Sequence, residues 1–107
     1  LALREGRPVP APVGGLAADS LGARQVGSLM FPLAAGLHAE GRLDPVLVPD
    51  DAIRTAQRFL WTEARLVAEP GGAAALAALL SGRWAPPEGA QVGVLVCGAN
   101  TDPAMVV

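Results

Sequence analysis

Three stretches of the 107-residue sequence carry side chains that could do chemistry. Cys97-Gly98-Ala99-Asn100 follows directly on the apolar run Val92-Gly93-Val94-Leu95-Val96. In an open α/β sheet, ligands bind just beyond the carboxyl ends of the strands. A thiol leaving a buried strand beside a glycine could meet a flat ligand ring at close range. The plainer reading is a lone cysteine buried as a small hydrophobe. Glu69-Pro70-Gly71-Gly72 sets a carboxylate at the mouth of an apolar helix, where unpaired N–H groups point outward. That charge could be aimed at a cofactor or substrate, or it could be a helix-start acid stabilised by the dipole. The third stretch is Gly14 to Gly22, which contains Ala18, Asp19 and Ser20. Its glycines allow close backbone approach to a ligand, yet Asp19 and Ser20 suit the N-cap of a following helix equally well. It lacks the G-x-G-x-x-G spacing of a dinucleotide site.

Other candidates are weaker. His38 has no second histidine or cysteine at ligand spacing, and with one cysteine in the chain a Cys-based zinc site and an internal disulfide are excluded. No metal site is expected. Trp61 and Trp84 flank helix ends and read as packing residues. The arginines are scattered surface charge, with Arg65 the one that falls near Glu69. A net charge of −2 gives no basic footprint for nucleic acid. The longest apolar run, Ala73 to Leu80, is too short to span a membrane.

The elements that must position these residues follow from periodicity. Pro8, Pro10, Pro12, Gly14 and Gly15 predict an irregular opening segment. Leu21, Val26, Leu29, Met30, Leu33 and Leu37 have helical spacing over Gly22 to His38, with Pro32 a kink or break. Val46-Leu47-Val48 between two prolines predicts a short buried strand. Asp50 is placed as an N-cap for a helix over about 51–66, whose apolar stripe is Ile53, Ala56, Leu60, Ala64 and Val67. Pro70 opens a second helix that is apolar all round, which predicts burial on every side. Val92 to Val96 reads as a strand covered on both faces. The order β-α-α-β, preceded by a helix, predicts an α/β layer arrangement with a parallel sheet.

Three segments together resemble one family. They are Ala18-Asp19-Ser20-Leu21-Gly22, the run Val67 to Leu79 with its E-P-x-G-A pattern, and Val94 to Asp102 with its C-G-x-N turn. In that order they are similar to the C-terminal third of threonine and serine dehydratases, pyridoxal-phosphate enzymes of the tryptophan-synthase-β-like fold type II. The resemblance implies a fragment of a three-layer parallel-sheet fold. It implies a cofactor-binding set of Cys97, Gly98, Glu69 and Asn100. Cys97 would meet the pyridine nitrogen, and as a neutral thiol it would not force that nitrogen to be protonated. Glu69 would lie near the ring, and Asn100 would hold the turn in shape. Ala18, Asp19 and Ser20 would pass beside the ring and substrate. Ala99 stands where the family has a second glycine; an alanine held at positive φ there would carry about 1 kcal/mol of strain.

All eight basic residues are arginine. The family's Schiff-base lysine is therefore lacking, no catalytic residue is expected in this segment, and pyridoxal phosphate is not expected to be covalently bound to it. Together with Leu1 in place of an initiator methionine, this suggests residues 1–107 are one C-terminal segment of the catalytic domain of a longer, cytoplasmic enzyme without a regulatory domain. The implied reaction of the complete enzyme is β-elimination, taking a small hydroxy amino acid to a 2-oxo acid and ammonia. The chain alone is expected to be inactive. Expected partners are the substrate, the rest of its own chain and further copies in a homo-oligomer. Serine racemisation or β-replacement on the same fold is the alternative, followed by a non-catalytic stand-alone module.

Hydrophobic residues make up 51% of the chain and mean hydropathy is +0.39. Small domains bury a modest fraction of their surface, so a chain this apolar leaves part of it open. The isolated 107 residues are expected to self-associate and bind a hydrophobic dye; sedimentation as a clean monomer at high concentration with no dye binding would count against this.

Overall fold

Every regular element is helical. The computed structural model describes all 107 residues, with α1 (Ala2–Glu5), α2 (Ala18–Leu21), α3 (Met30–Ala39), α4 (Asp50–Ala64), α5 (Pro70–Leu80) and a 3-10 turn at Pro103–Met105. The chain divides into two compact units. One holds Leu1–Gly14 and Gly22–Pro45, and the other holds Gly15–Leu21 and Val46–Val107.

The second unit is organised by α4 and α5. Ile53, Ala56 and Leu60 form the buried stripe that their spacing predicts, and Gln57 is buried with them. They pack on Ala68, Ala73 and Ala77. Four of these six core side chains are alanine, so the two helices meet largely through small residues. The stripe stops earlier than expected. Arg65 takes a left-handed conformation (φ 56) and ends α4, leaving Ala64 exposed and Val67 in the following loop. Its guanidinium donates to the carbonyls of Trp61 and Thr62, both at 3.0 Å, and lies 5.5 Å from the Trp61 ring centroid. Arg65 is thus spent on capping a helix end and does not reach Glu69.

Two helix-start expectations are corrected. Pro49, not Asp50, is the N-cap of α4, and Asp50 is its first helical residue. The Asp50 carboxylate accepts from the Leu16 N–H at 3.0 Å instead, tying the stretch before α2 to the helix mouth. Pro70 does open α5, but only Gly72, Ala73 and Ala77 are fully buried, while Ala75 and Leu80 are exposed. The apolar helix is covered on the side of α4 and α2 and open on the other.

In the first unit, the opening segment expected to be irregular begins with the short helix α1, and α3 starts at Met30 rather than near Gly22. Pro32 neither kinks nor breaks α3, because it sits in the first turn, where an N–H would have no carbonyl partner. Phe31 and Ala34 are half-buried, whereas Leu29, Met30 and Leu33 are exposed. His38 is an exposed helix-end residue, as expected, with Nδ1 3.0 Å from the Leu43 carbonyl oxygen.

The chain contains no strand, so the parallel sheet of the α/β reading is not confirmed. Val46–Val48 and Val92–Val96 are extended with alternating exposure. Val46, Val48, Val94 and Val96 are half-buried, while Leu47 is 90% and Leu95 76% exposed. The expectation that the 92–96 run is covered on both faces is therefore also corrected. Neither run makes a backbone–backbone hydrogen bond. A strand exists through its ladder to a neighbour, and these two runs do not pair.

Gln57 was not singled out by the sequence, although it sits four residues after Ile53 on the core face. Its Nε2 donates to the Ala68 carbonyl at 2.8 Å and so fixes the loop that delivers Glu69. Gln57→Leu leaves that buried carbonyl unpaired and is expected to destabilise the fold by about 1–3 kcal/mol in urea denaturation; an unchanged midpoint would show that the bond contributes nothing.

Candidate functional site

Glu69 stands at the junction of two loops and a helix. It is the N-cap of α5, with extended backbone (φ −67, ψ 162) and no capping bond from its own side chain. That side chain turns to the residues after Val96. The Glu69 N–H donates to the Gly98 carbonyl at 3.0 Å, and the Asn100 N–H donates to Glu69 Oε2 at 3.2 Å. One residue thus grips the Cys97–Asn100 turn through both its backbone and its carboxylate. Gly98 makes this possible. It takes a left-handed conformation (φ 74), and a Cβ there would collide with the Glu69 carboxyl. Ala99 does not have a positive φ, so the strain anticipated for it does not arise.

Helix α5 approaches the same turn from below. A Cβ on Gly72 would overlap the Cys97 carbonyl oxygen, so the helix reaches the turn only because this position has no side chain. Gly71 donates its N–H to Ser20 Oγ at 3.1 Å, which draws α2 to the mouth of α5.

A cleft of about 210 Å³ opens here, lined by Leu16, Asp19, Ser20, Glu69, Pro70, Asn100 and Thr101. Four residues expected at a site, Asp19, Ser20, Glu69 and Asn100, therefore share one cavity. Ala18 is half-buried in α2 behind them. Gly98 forms the turn at one edge. Cys97 is exposed and unpaired in the same turn but does not line the cleft. Asn100 enters the turn's hydrogen bonding through its backbone N–H.

The chemistry on offer is that of carboxylates, hydroxyls and an amide around a small polar space. The Asp19 carboxylate accepts no hydrogen bond, so its oxygens are open to a ligand's N–H or O–H groups. No group of three metal-ligating side chains forms. The residues missed from sequence, Leu16, Thr101, Asp50 and Gln57, act by lining the cleft or by bonding to backbone. The Pro70-Gly71-Gly72 start of an otherwise Ala/Leu helix was the available signal for close contact there.

Replacing Glu69 separates its two grips. Glu69→Ala removes the acceptor for the Asn100 N–H and is expected to cost about 1 kcal/mol, with Glu69→Gln, which keeps a carbonyl oxygen, costing less. Equal denaturation midpoints for all three proteins would show that the carboxylate does not hold the turn.

Comparisons with known proteins bear on the family and the fold. Residues 1–98 match the family described as pyridoxal-phosphate dependent enzyme. The chain is 49% identical over 59 residues to phenylserine dehydratase of Ralstonia pickettii, covering 55% of this chain and 18% of that protein. It is 32% identical over 78 residues to serine racemase of Dictyostelium discoideum, covering 72% of this chain and 23% of that protein. The crystal structure of a threonine deaminase from T.th. superposes with a TM-score of 0.68 at 30% identity, covering 94% of this chain and 35% of that one. The chain thus spans a minor part of the length of these relatives. Its fold matches a corresponding part of the deaminase, and the chain belongs to the pyridoxal-phosphate dependent enzyme family.

Proposed function

We propose that these residues form one wall of the cofactor and substrate site of a longer hydroxy-amino-acid ammonia-lyase. That enzyme converts a serine- or threonine-like substrate to a 2-oxo acid and ammonia. The observation that carries the reading is the grip of Glu69 on the Cys97–Asn100 turn, which joins the two motifs typical of the dehydratases into one structure. Similarity to phenylserine dehydratase and threonine deaminase supports it, since phenylserine and threonine both carry a hydroxyl on the carbon next to the amino-bearing carbon.

The side chains fit one side of pyridoxal phosphate. A sulfhydryl at Cys97 can both donate and accept weakly, which suits a pyridine nitrogen. The aldehyde side needs a primary amine, and this lysine-free chain does not carry the family's. When bound, the cofactor supplies the electron sink that lets the α-proton and the β-hydroxyl leave. The chain's own residues position and polarise. Cys97 and Gly98 would hold the ring, Glu69 and Asn100 would keep their turn in shape, and Asp19 would accept from the substrate's amino or hydroxyl group. The base that takes the α-proton lies outside these residues.

A second reading has its own support in the similarity to a serine racemase. Racemisation and elimination both begin by removing the α-proton and diverge on whether the β-hydroxyl departs. The complete protein, given L-serine, L-threonine or phenylserine, is expected to release 2-oxo acid and ammonia in equal amounts. Inverted amino acid without oxo acid would favour the racemase, and neither product would reject both readings. In the same protein, Cys97→Ala is expected to lower elimination while retaining some cofactor, and Cys97→Asp to shift the cofactor's visible spectrum by favouring pyridine protonation. Unchanged kinetics and spectrum in both variants would remove Cys97 from the site.

A further inference from the structure

Helix α5 receives no capping bond from Glu69, its own N-cap residue. Pro70 has no N–H to satisfy. The next donor, Gly71 N–H, bonds to the hydroxyl of Ser20, which lies 51 positions earlier in the chain. Ser20 therefore does from a distance what a capping serine does locally. Gly71 is the condition for it. A Cβ at Gly71 would collide with Ser20 Oγ and crowd Leu21, so a hydroxyl from position 20 and a side chain at position 71 exclude one another.

The other end of the same segment is fastened too. The Leu16 N–H donates to the Asp50 carboxylate at 3.0 Å, and Gly15 (φ 85) leaves room for that carboxylate. Gly15–Leu21 is thus pinned at Leu16 and at Ser20, with Ala17, Ala18 and Asp19 between the pins. Leu16 and Asp19 face Asn100 and Thr101 around the cleft. The geometry points to Ser20 as a positioning residue: by accepting from Gly71 it sets the width of the cleft and the placement of Asp19. Both partners lie outside the buried core, so the bond adds little to global stability and acts on the cleft wall. This role rests on the reading of the cleft as the substrate site.

The test uses the complete enzyme. Ser20→Ala is expected to raise KM for the hydroxy amino acid about 2- to 10-fold, the range that one net hydrogen bond converts to, with kcat and melting temperature nearly unchanged. Ser20→Thr keeps the hydroxyl and is expected to restore KM. Gly71→Ala is expected to raise KM through the collision, and the pair Ser20→Gly with Gly71→Ala to recover part of the loss. An unchanged KM in Ser20→Ala, or a loss in kcat and melting temperature that Ser20→Thr does not rescue, would overturn the role. Amide exchange at Gly71 and Ser20, whose N–H groups bond to Ser20 Oγ and the Ala17 carbonyl, gives a readout that needs no turnover. Faster exchange at both amides in Ser20→Ala supports the pin, and unchanged exchange overturns it. A wild-type enzyme that makes neither oxo acid nor inverted amino acid would instead defeat the functional reading, leaving exchange to decide the role of Ser20.

Discussion

The arrangement depends on one carboxylate being used for architecture. Glu69 joins the Cys97–Asn100 turn to the first residue of α5 through two hydrogen bonds, one from each part of the same residue. The turn and the mouth of α5 take their relative position from that joint. The turn presents Cys97, the helix mouth presents Gly71 to Ser20, and Gln57 fixes the loop from which Glu69 emerges. A carboxylate that also had to bind a ligand could not accept freely, because one of its oxygens is already engaged by Asn100. Asp19 lines the same cleft with a carboxylate that accepts no hydrogen bond within the chain.

Small residues let this joint form. The α4–α5 core is mostly alanine, and Gly72 lies directly beneath the Cys97 carbonyl oxygen. A larger side chain at Gly72 would hold the helix and the turn apart and break the reach of Glu69. The apolar stretch from Gly71 to Leu80 thus owes its composition to close approach as much as to burial.

Much of this was legible in the sequence, for physical reasons that vary by residue. The spacing of Ile53, Ala56 and Leu60 and the Pro70 start marked α4 and α5, because local periodicity and a missing N–H are read without tertiary information. Asp19, Ser20, Glu69 and Asn100 come to line one cleft, whereas Ala18, Cys97 and Gly98 do not line it. What failed depended on partners the sequence does not name. Asp50 looked like a cap until the Leu16 N–H offered a better use for its carboxylate. Val46–Val48 and Val92–Val96 have the composition and alternation of strands, but β structure is a property of pairs, and these two do not pair. The early end of α4 came from Arg65, whose left-handed backbone no composition rule anticipates.

The two glycines that open α5 bear on how the protein folds as well as on what it touches. Each glycine in a helix is less favourable than alanine by about 1 kcal/mol, and nucleation concentrates the cost of ordering in the first turn. The first turn of α5 is therefore its least self-sufficient part, although the Ala/Leu body behind it propagates readily. It becomes favourable once Ser20 supplies an acceptor and the Cys97 carbonyl settles over Gly72. Helix initiation and site assembly are in this way a single cooperative event, and a chain that has not yet brought these distant segments together has an α5 that is helical in its middle and frayed at the end where chemistry would occur.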